Sequence, residues 1–130
     1  MEILVKGKAG SKWVQGGFMN WNGVPHILTE RLGEMIPVRK ETVSLGIGKT
    51  DCNGKDIFAG DIIRHSIEID NELFKEDFII VWDDKLCSFL AKSTDEKIKF
   101  PADIDDLSGC IEIIGNIFDK PKKRKAKSVN

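Results

Sequence analysis

The sequence predicts a mainly β protein with a small closed or nearly closed barrel in its second half. Three observations carry that prediction. First, Thr50–Arg64, TDCNGKDIFAGDIIR, places two turn signals around short apolar segments. Asn53-Gly54 is a dipeptide favoured by type I′ turns, whose two central residues take positive φ. Gly60-Asp61 marks a second tight turn. Second, Ile63, His65, Ile67 and Ile69 alternate with Arg64, Ser66, Glu68 and Asp70, and a period of two gives a strand one buried and one wet face. Third, about five short strands with turn signals between them fill the second half, which is the pattern of a small barrel.

Taken in order, Lys12–Met19 and His26–Thr29 are expected to pair around Asn20-Trp21-Asn22-Gly23, where Asn22-Gly23 is again a hairpin signal. Thr29–Glu34 has mixed helical character but is short. Pro37, Gly46 and Gly48 prevent a long helix through 33–49. Ile62–Asp70 is the alternating strand. Phe78–Trp82 is a continuous apolar run ended by Asp83-Asp84-Lys85 and is expected to pair with Leu86–Lys92, with Trp82 in the core. Lys97–Phe100 reads as a weaker strand stopped by Pro101, Ala102–Leu107 as a helical turn and Cys110–Phe118 as the last strand. The acidic runs Asp70–Asp77 and Asp103–Asp106 read as solvated loops. Three units follow: a β-hairpin unit over 1–49, a barrel over 50–119, and a disordered basic tail over 120–130.

With 41% hydrophobic and 32% charged residues, the chain can form a modest core. No run approaches the roughly 18 apolar residues of a membrane span, and MEILVKGKAG lacks an apolar signal core. Neither membrane association nor secretion is expected. Cys52, Cys87 and Cys110 are odd in number and widely spaced, which argues against a disulfide framework and fits a reducing cytosol. The net charge of −1 hides an asymmetry. Residues 1–119 hold 14 basic and 21 acidic residues, 14 − 21 = −7, whereas Lys120, Lys122, Lys123, Arg124, Lys125 and Lys127 add +6.

The chemistry-bearing residues point away from catalysis. Gly46-Ile47-Gly48-Lys49-Thr50 ends like a phosphate-binding loop, but that loop needs glycine at position 43, which is Val. Cys52, Cys87, Cys110, His26 and His65 lack the paired spacing of a metal site, and Cys87 and His65 read as strand residues. No cofactor or metal is expected. Asp51 and Asp61 sit where aspartates cap turns by accepting backbone N–H bonds, and Asp56 reads as an exposed turn residue. Trp13 and Trp21 lie in a unit with little core of its own, so partner contact weighs nearly equally with internal packing. The basic tail reads first as a solvated end, and second as a nonspecific phosphate-binding segment for nucleic acid.

The central stretch resembles the YopX family of phage and prophage proteins. That family's motif reads roughly Thr-Gly-Leu-x-Asp-x-Asn-Gly-Lys-x-Ile-aromatic-x-Gly-Asp-Ile, and Asp51, Asn53, Gly54, Lys55, Ile57, Phe58, Gly60, Asp61 and Ile62 match it. Lys12, Trp13, Val14 and Gly16 resemble an early Trp-Val-x-Gly segment. Glu112, Ile114, Gly115, Asn116, Ile117 and Pro121 resemble a closing Ile-Gly-Asn-Ile segment. The Thr-Gly-Leu start is replaced by Leu45-Gly46-Ile47-Gly48-Lys49-Thr50. The resemblance implies an SH3-like barrel preceded by a smaller N-terminal β unit. It also implies a phage or prophage protein in the cytoplasm of a bacterial host, and it brings no reaction with it. The resulting expectation is a non-enzymatic accessory protein that binds a protein partner and forms a homo-oligomer. The alternative is a nucleic-acid-associated accessory protein using the basic tail.

Overall fold

The computed structural model describes residues 4–29, 33–98, 101–107 and 109–119. Among the described residues eleven strands form two antiparallel sheets, and there is no α-helix. In chain order the strands are β1 (Val5–Ala9), β2 (Lys12–Trp21), β3 (Val24–Leu28), β4 (Met35–Pro37), β5 (Ser44–Thr50), β6 (Asp56–Phe58), β7 (Asp61–Ile69), β8 (Glu72–Asp83), β9 (Ser88–Ser93), β10 (Ala102–Asp103) and β11 (Cys110–Asn116). The first sheet runs β4-β3-β2-β1-β5-β6 and the second β10-β9-β8-β7-β11. No helix among the described residues is long and apolar enough to cross a membrane.

The expected hairpin around Asn22-Gly23 is present. Asn22 and Gly23 take φ of 53° and 78°, the two positive values of the expected turn, and Trp21 pairs with Val24 across it. β2 is long because its two halves have different partners: Lys12–Gly16 pairs with β1, and Gly17–Trp21 with β3. Gly16 stands at the change-over. A Cβ there would lie 2.1 Å from the Leu28 carbonyl oxygen, so the crossing depends on the missing side chain.

The second sheet departs from expectation in four places. Its strand ladders leave β10 and β11 at opposite ends, unpaired with each other, so the described pairing is an open sheet and not a closed barrel. The run Asp70–Asp77 is mostly strand. Only Asp70 and Asn71 turn, with φ of 52° and 69°, and β8 begins at Glu72. Its charges hid it because the end of the β7–β8 hairpin outruns the core and is wet on both faces. Trp82 is 48% exposed although it shares a face with the buried Phe78 and Ile80. It lies beyond the end of the core, edge-on to Phe89 with centroids 5.0 Å apart. Cys87 lies in the turn between β8 and β9, at φ 50°, and is exposed.

Two smaller expectations also change. Lys97 and Ile98 are not strand, because Asp95 caps a local turn by accepting the Lys97 N–H at 3.0 Å; Lys99 and Phe100 lie outside the described residues. Of the expected short segment Thr29–Glu34, residues 30–32 lie outside the described residues; Gly33 N–H donates to the Thr29 carbonyl at 2.9 Å. The helical turn expected over Ala102–Leu107 shrinks to a 3-10 turn at Ile104–Asp106, with Asp103 accepting the Asp105 N–H.

Two apolar cores result. The smaller comprises Val5, Ile27 and Val38, flanked by Ala9, Val14 and Val43. The larger comprises Ile57, Ile63, Phe78, Ile80, Ala91 and Ile104, with Ile47, Ile111 and Ile113 packed against it. Ile47 and Ile57 belong to β5 and β6. The end of the first sheet therefore covers the second sheet, and the Thr50–Arg64 motif lies at the junction.

Candidate functional site

The motif is organised around two carboxylates. Asp51 follows β5 and is 6% exposed. Its Oδ1 accepts the backbone N–H groups of Asn53 and Lys55, both at 2.9 Å. Its Oδ2 accepts the Ile113 N–H at 3.1 Å. The Asp51 carbonyl also accepts the Gly54 N–H at 3.0 Å, and the Asp51 N–H donates to the Lys55 carbonyl at 2.8 Å. The turn is not the type I′ expected, since Gly54 alone takes positive φ, 81°. An Asp side chain that gathers the loop's amides makes a second positive φ unnecessary. Burial raises the Asp51 pKa, but the bonds from Ile113, Lys55 and Asn53 outweigh it and hold the carboxyl below its ordinary range.

Asp61, the first residue of β7, is 1% exposed. Its Oδ2 accepts the Phe58 N–H at 2.8 Å, capping the Ala59-Gly60 turn. Its Oδ1 accepts from Asn116 Nδ2 at 2.8 Å and from Lys6 Nζ at 2.9 Å. Asn116 in turn accepts the Phe118 N–H at 2.8 Å, and Gly60 accepts the Ile117 N–H at 2.9 Å. The motif and the closing segment thus interlock. Gly115 lies just past a register shift between β11 and β7 and pairs with Ile62. Ile57 and Phe58 are buried, while Asn53, Gly54 and Lys55 are exposed on the turn.

A group of side chains that sequence reasoning missed extends this joint. Lys6 Nζ lies 4.5 Å from the Trp13 ring centroid and 4.8 Å from that of Phe58, so its charge meets an aromatic face as well as Asp61. Lys8 Nζ pairs with Asp119 at 2.7 Å. Trp13 Nε1 donates to the same carboxylate at 2.9 Å, and its ring meets Phe118 edge-on. Burial raises the Asp119 pKa, but the Lys8 and Trp13 bonds outweigh it and lower the value. Lys6 and Lys8 alternate on one strand with Trp13 opposite Lys8. That alternation was legible, but Asp61 and Asp119 lie too far along the chain to be assigned as partners.

The two tryptophans therefore differ. Trp13 is held internally. Trp21 is 54% exposed and touches the His26 ring, centroids 5.8 Å apart. With it on one face of β2, β3 and β4 are Met19, Val24, Leu28 and Met35, all substantially exposed. The basic residues Lys120, Lys122, Lys123, Arg124, Lys125 and Lys127 lie outside the described residues.

Asp51 and Asp61 spend their oxygens on backbone and side-chain donors, and among the described residues no three His, Cys, Asp or Glu side chains cluster as metal ligands would. Cys52 and Cys110, read as unrelated in the sequence, approach each other to 2.7 Å between sulfurs.

The family model described as YopX protein matches residues 22–123. No curated protein and no solved structure matches the chain. The matched span contains both carboxylates, the turn between them and the Gly115-Asn116 segment that locks onto Asp61, and it covers most of the sequence; the chain belongs to the YopX family.

Proposed function

We propose that this chain is a non-enzymatic accessory protein of a phage or prophage type, acting through protein contact and assembling with copies of itself. The observation that carries the reading is the apolar face of Met19, Trp21, Val24, Leu28 and Met35. These five side chains cluster on neighbouring strands, and clustered exposed apolar groups mark interaction surfaces. None of the five is charged. Residues 1–119 carry 14 basic and 21 acidic residues, so two copies repel each other over much of their surface and approach best where charge is absent. A second copy fits that requirement, because each partner then offers the same uncharged face. The motif supports a scaffold role: its carboxylates are engaged in holding turns and are not available for proton transfer. The second sheet covered by β5 and β6 is read as an SH3-like arrangement, supported by Ile57 sharing a core with Ile63 and Ile80.

Trp21→Lys tests the reading. It removes the largest side chain of the face and sets two like charges against each other across a two-fold contact. Self-association is expected to weaken roughly 30-fold, the factor for a 2 kcal/mol hot spot. Circular dichroism should stay unchanged, because Trp21 is exposed. Light scattering across micromolar concentrations measures the effect. A wild-type protein that is monomeric throughout would exclude the assembly.

A further inference from the structure

Cys52 and Cys110 stand 58 positions apart in the chain, one in the turn after β5 and the other at the start of β11. Two bonds beside them fix the approach. Cys52 N–H donates to the Ile111 carbonyl at 2.8 Å, and Ile113 N–H donates to Asp51 Oδ2 at 3.1 Å. The motif turn is thereby laid along the outer edge of β11, with the two thiols side by side. Both residues are exposed, and their sulfurs lie 2.7 Å apart. A bonded pair sits at about 2.05 Å, so the two sulfurs are within about 1 Å of bonding distance. Cys87 is a natural comparison. It is also exposed, but its thiol faces the Asp84 carbonyl at 3.4 Å.

We propose that Cys52 and Cys110 form a reversible thiol–disulfide site that exchanges with small disulfides of the glutathione class. The thiolate of one cysteine attacks a sulfur of the small disulfide, breaks its S–S bond and releases one small thiolate, leaving a mixed disulfide. The thiolate of the other cysteine attacks the protein sulfur of that mixed disulfide and releases the second small thiolate. One disulfide is reduced to two thiols, two cysteines are oxidised to one disulfide, and their two protons end on the released thiolates. The hydrogen bond shared with Cys110 keeps the proton on Cys52 and, with desolvation, pushes its thiol up to about 11. Attack by Cys52 is therefore slow near neutral pH and quickens as pH rises. The product ties the last turn of the first sheet to the edge of the second, across the junction that Asp51 already bridges.

Treating the full chain with oxidised glutathione, then mapping peptides without reduction, tests the site. The expected result is a peptide pair joined through Cys52 and Cys110, with Cys87 either free or carrying glutathione. The joined form should melt on the order of 10 °C higher, as closing a loop of this length implies. Cys110→Ser should carry glutathione on Cys52 and show no such rise. Separate glutathione adducts on Cys52 and Cys110 would overturn the proposal, as would both remaining unmodified while Cys87 reacts. A joined pair with unchanged melting would overturn the restraint on the turn.

Discussion

Asp61→Ala is expected to destabilise the protein by about 3–5 kcal/mol, the range for breaking a buried ion pair from one side. Three donors lose their acceptor at once: the Phe58 N–H, Asn116 Nδ2 and Lys6 Nζ. The Lys6 side chain is only 13% exposed, so its ammonium cannot recover full hydration by a small movement. The Trp13 and Phe58 rings offset part of that cost and no more. Asp61→Asn should be nearly as damaging despite its shape. Its amide oxygen can accept from one side, but its NH2 would face another donor, either Phe58 N–H or the Asn116 and Lys6 groups. Adding Lys6→Met to Asp61→Ala should restore part of the loss, because the stranded charge is gone. Urea unfolding of the wild type, Asp61→Ala, Asp61→Asn, Lys6→Met and the double variant measures each quantity, and additive single losses would show that the pair is not coupled.

Gly16→Ala is expected to cost about 3 kcal/mol, the upper end of the usual range for overpacking. The new Cβ would meet the Leu28 carbonyl oxygen at 2.1 Å and its carbon at 3.0 Å. A backbone carbonyl cannot swing aside like a side-chain tip. Relief requires moving β3, which carries the fully buried Ile27 of the smaller core. Gly17→Ala is the control, since nothing lies within 4 Å of a Cβ at that position. It should change stability by no more than about 0.5 kcal/mol. Equal losses at both positions in thermal melts would mean that the crossing at Gly16 is not tight.

Local chemistry was the legible part of this fold. Asn22-Gly23 announced its hairpin, the alternation in Ile62–Asp70 announced β7, and Asp51 and Asp61 were recognisable as turn caps, whereas Asp56, read as a turn residue, opens β6. What depends on distance along the chain was not legible. Asp51 reaches Ile113, Lys6 reaches Asp61 and Cys52 meets Cys110, and no short-range pattern encodes those meetings. Trp82 illustrates a second limit. Its apolar neighbours and strand position mark it for burial, but burial depends on where the covering layer ends. The Asp70–Asp77 run illustrates a third, because β8 begins beyond the core, where no dry face demands that its residues alternate. The family motif marked the junction of the two sheets without stating that it was one.

The motif's carboxylates are structural clamps that join the two sheets. Native-state hydrogen exchange at Asn53, Lys55, Phe58 and Ile113 tests this most directly, because each of these amides donates to Asp51 or Asp61. If the clamps hold, Phe58 and Ile113 should exchange only with global opening, as slowly as the central ladder amides of β7 and β8, and Asn53 and Lys55 should be protected well beyond an exposed turn. Exchange of all four at the rate of open loop amides would show that the carboxylates are not held by the backbone, and would contradict the clamp.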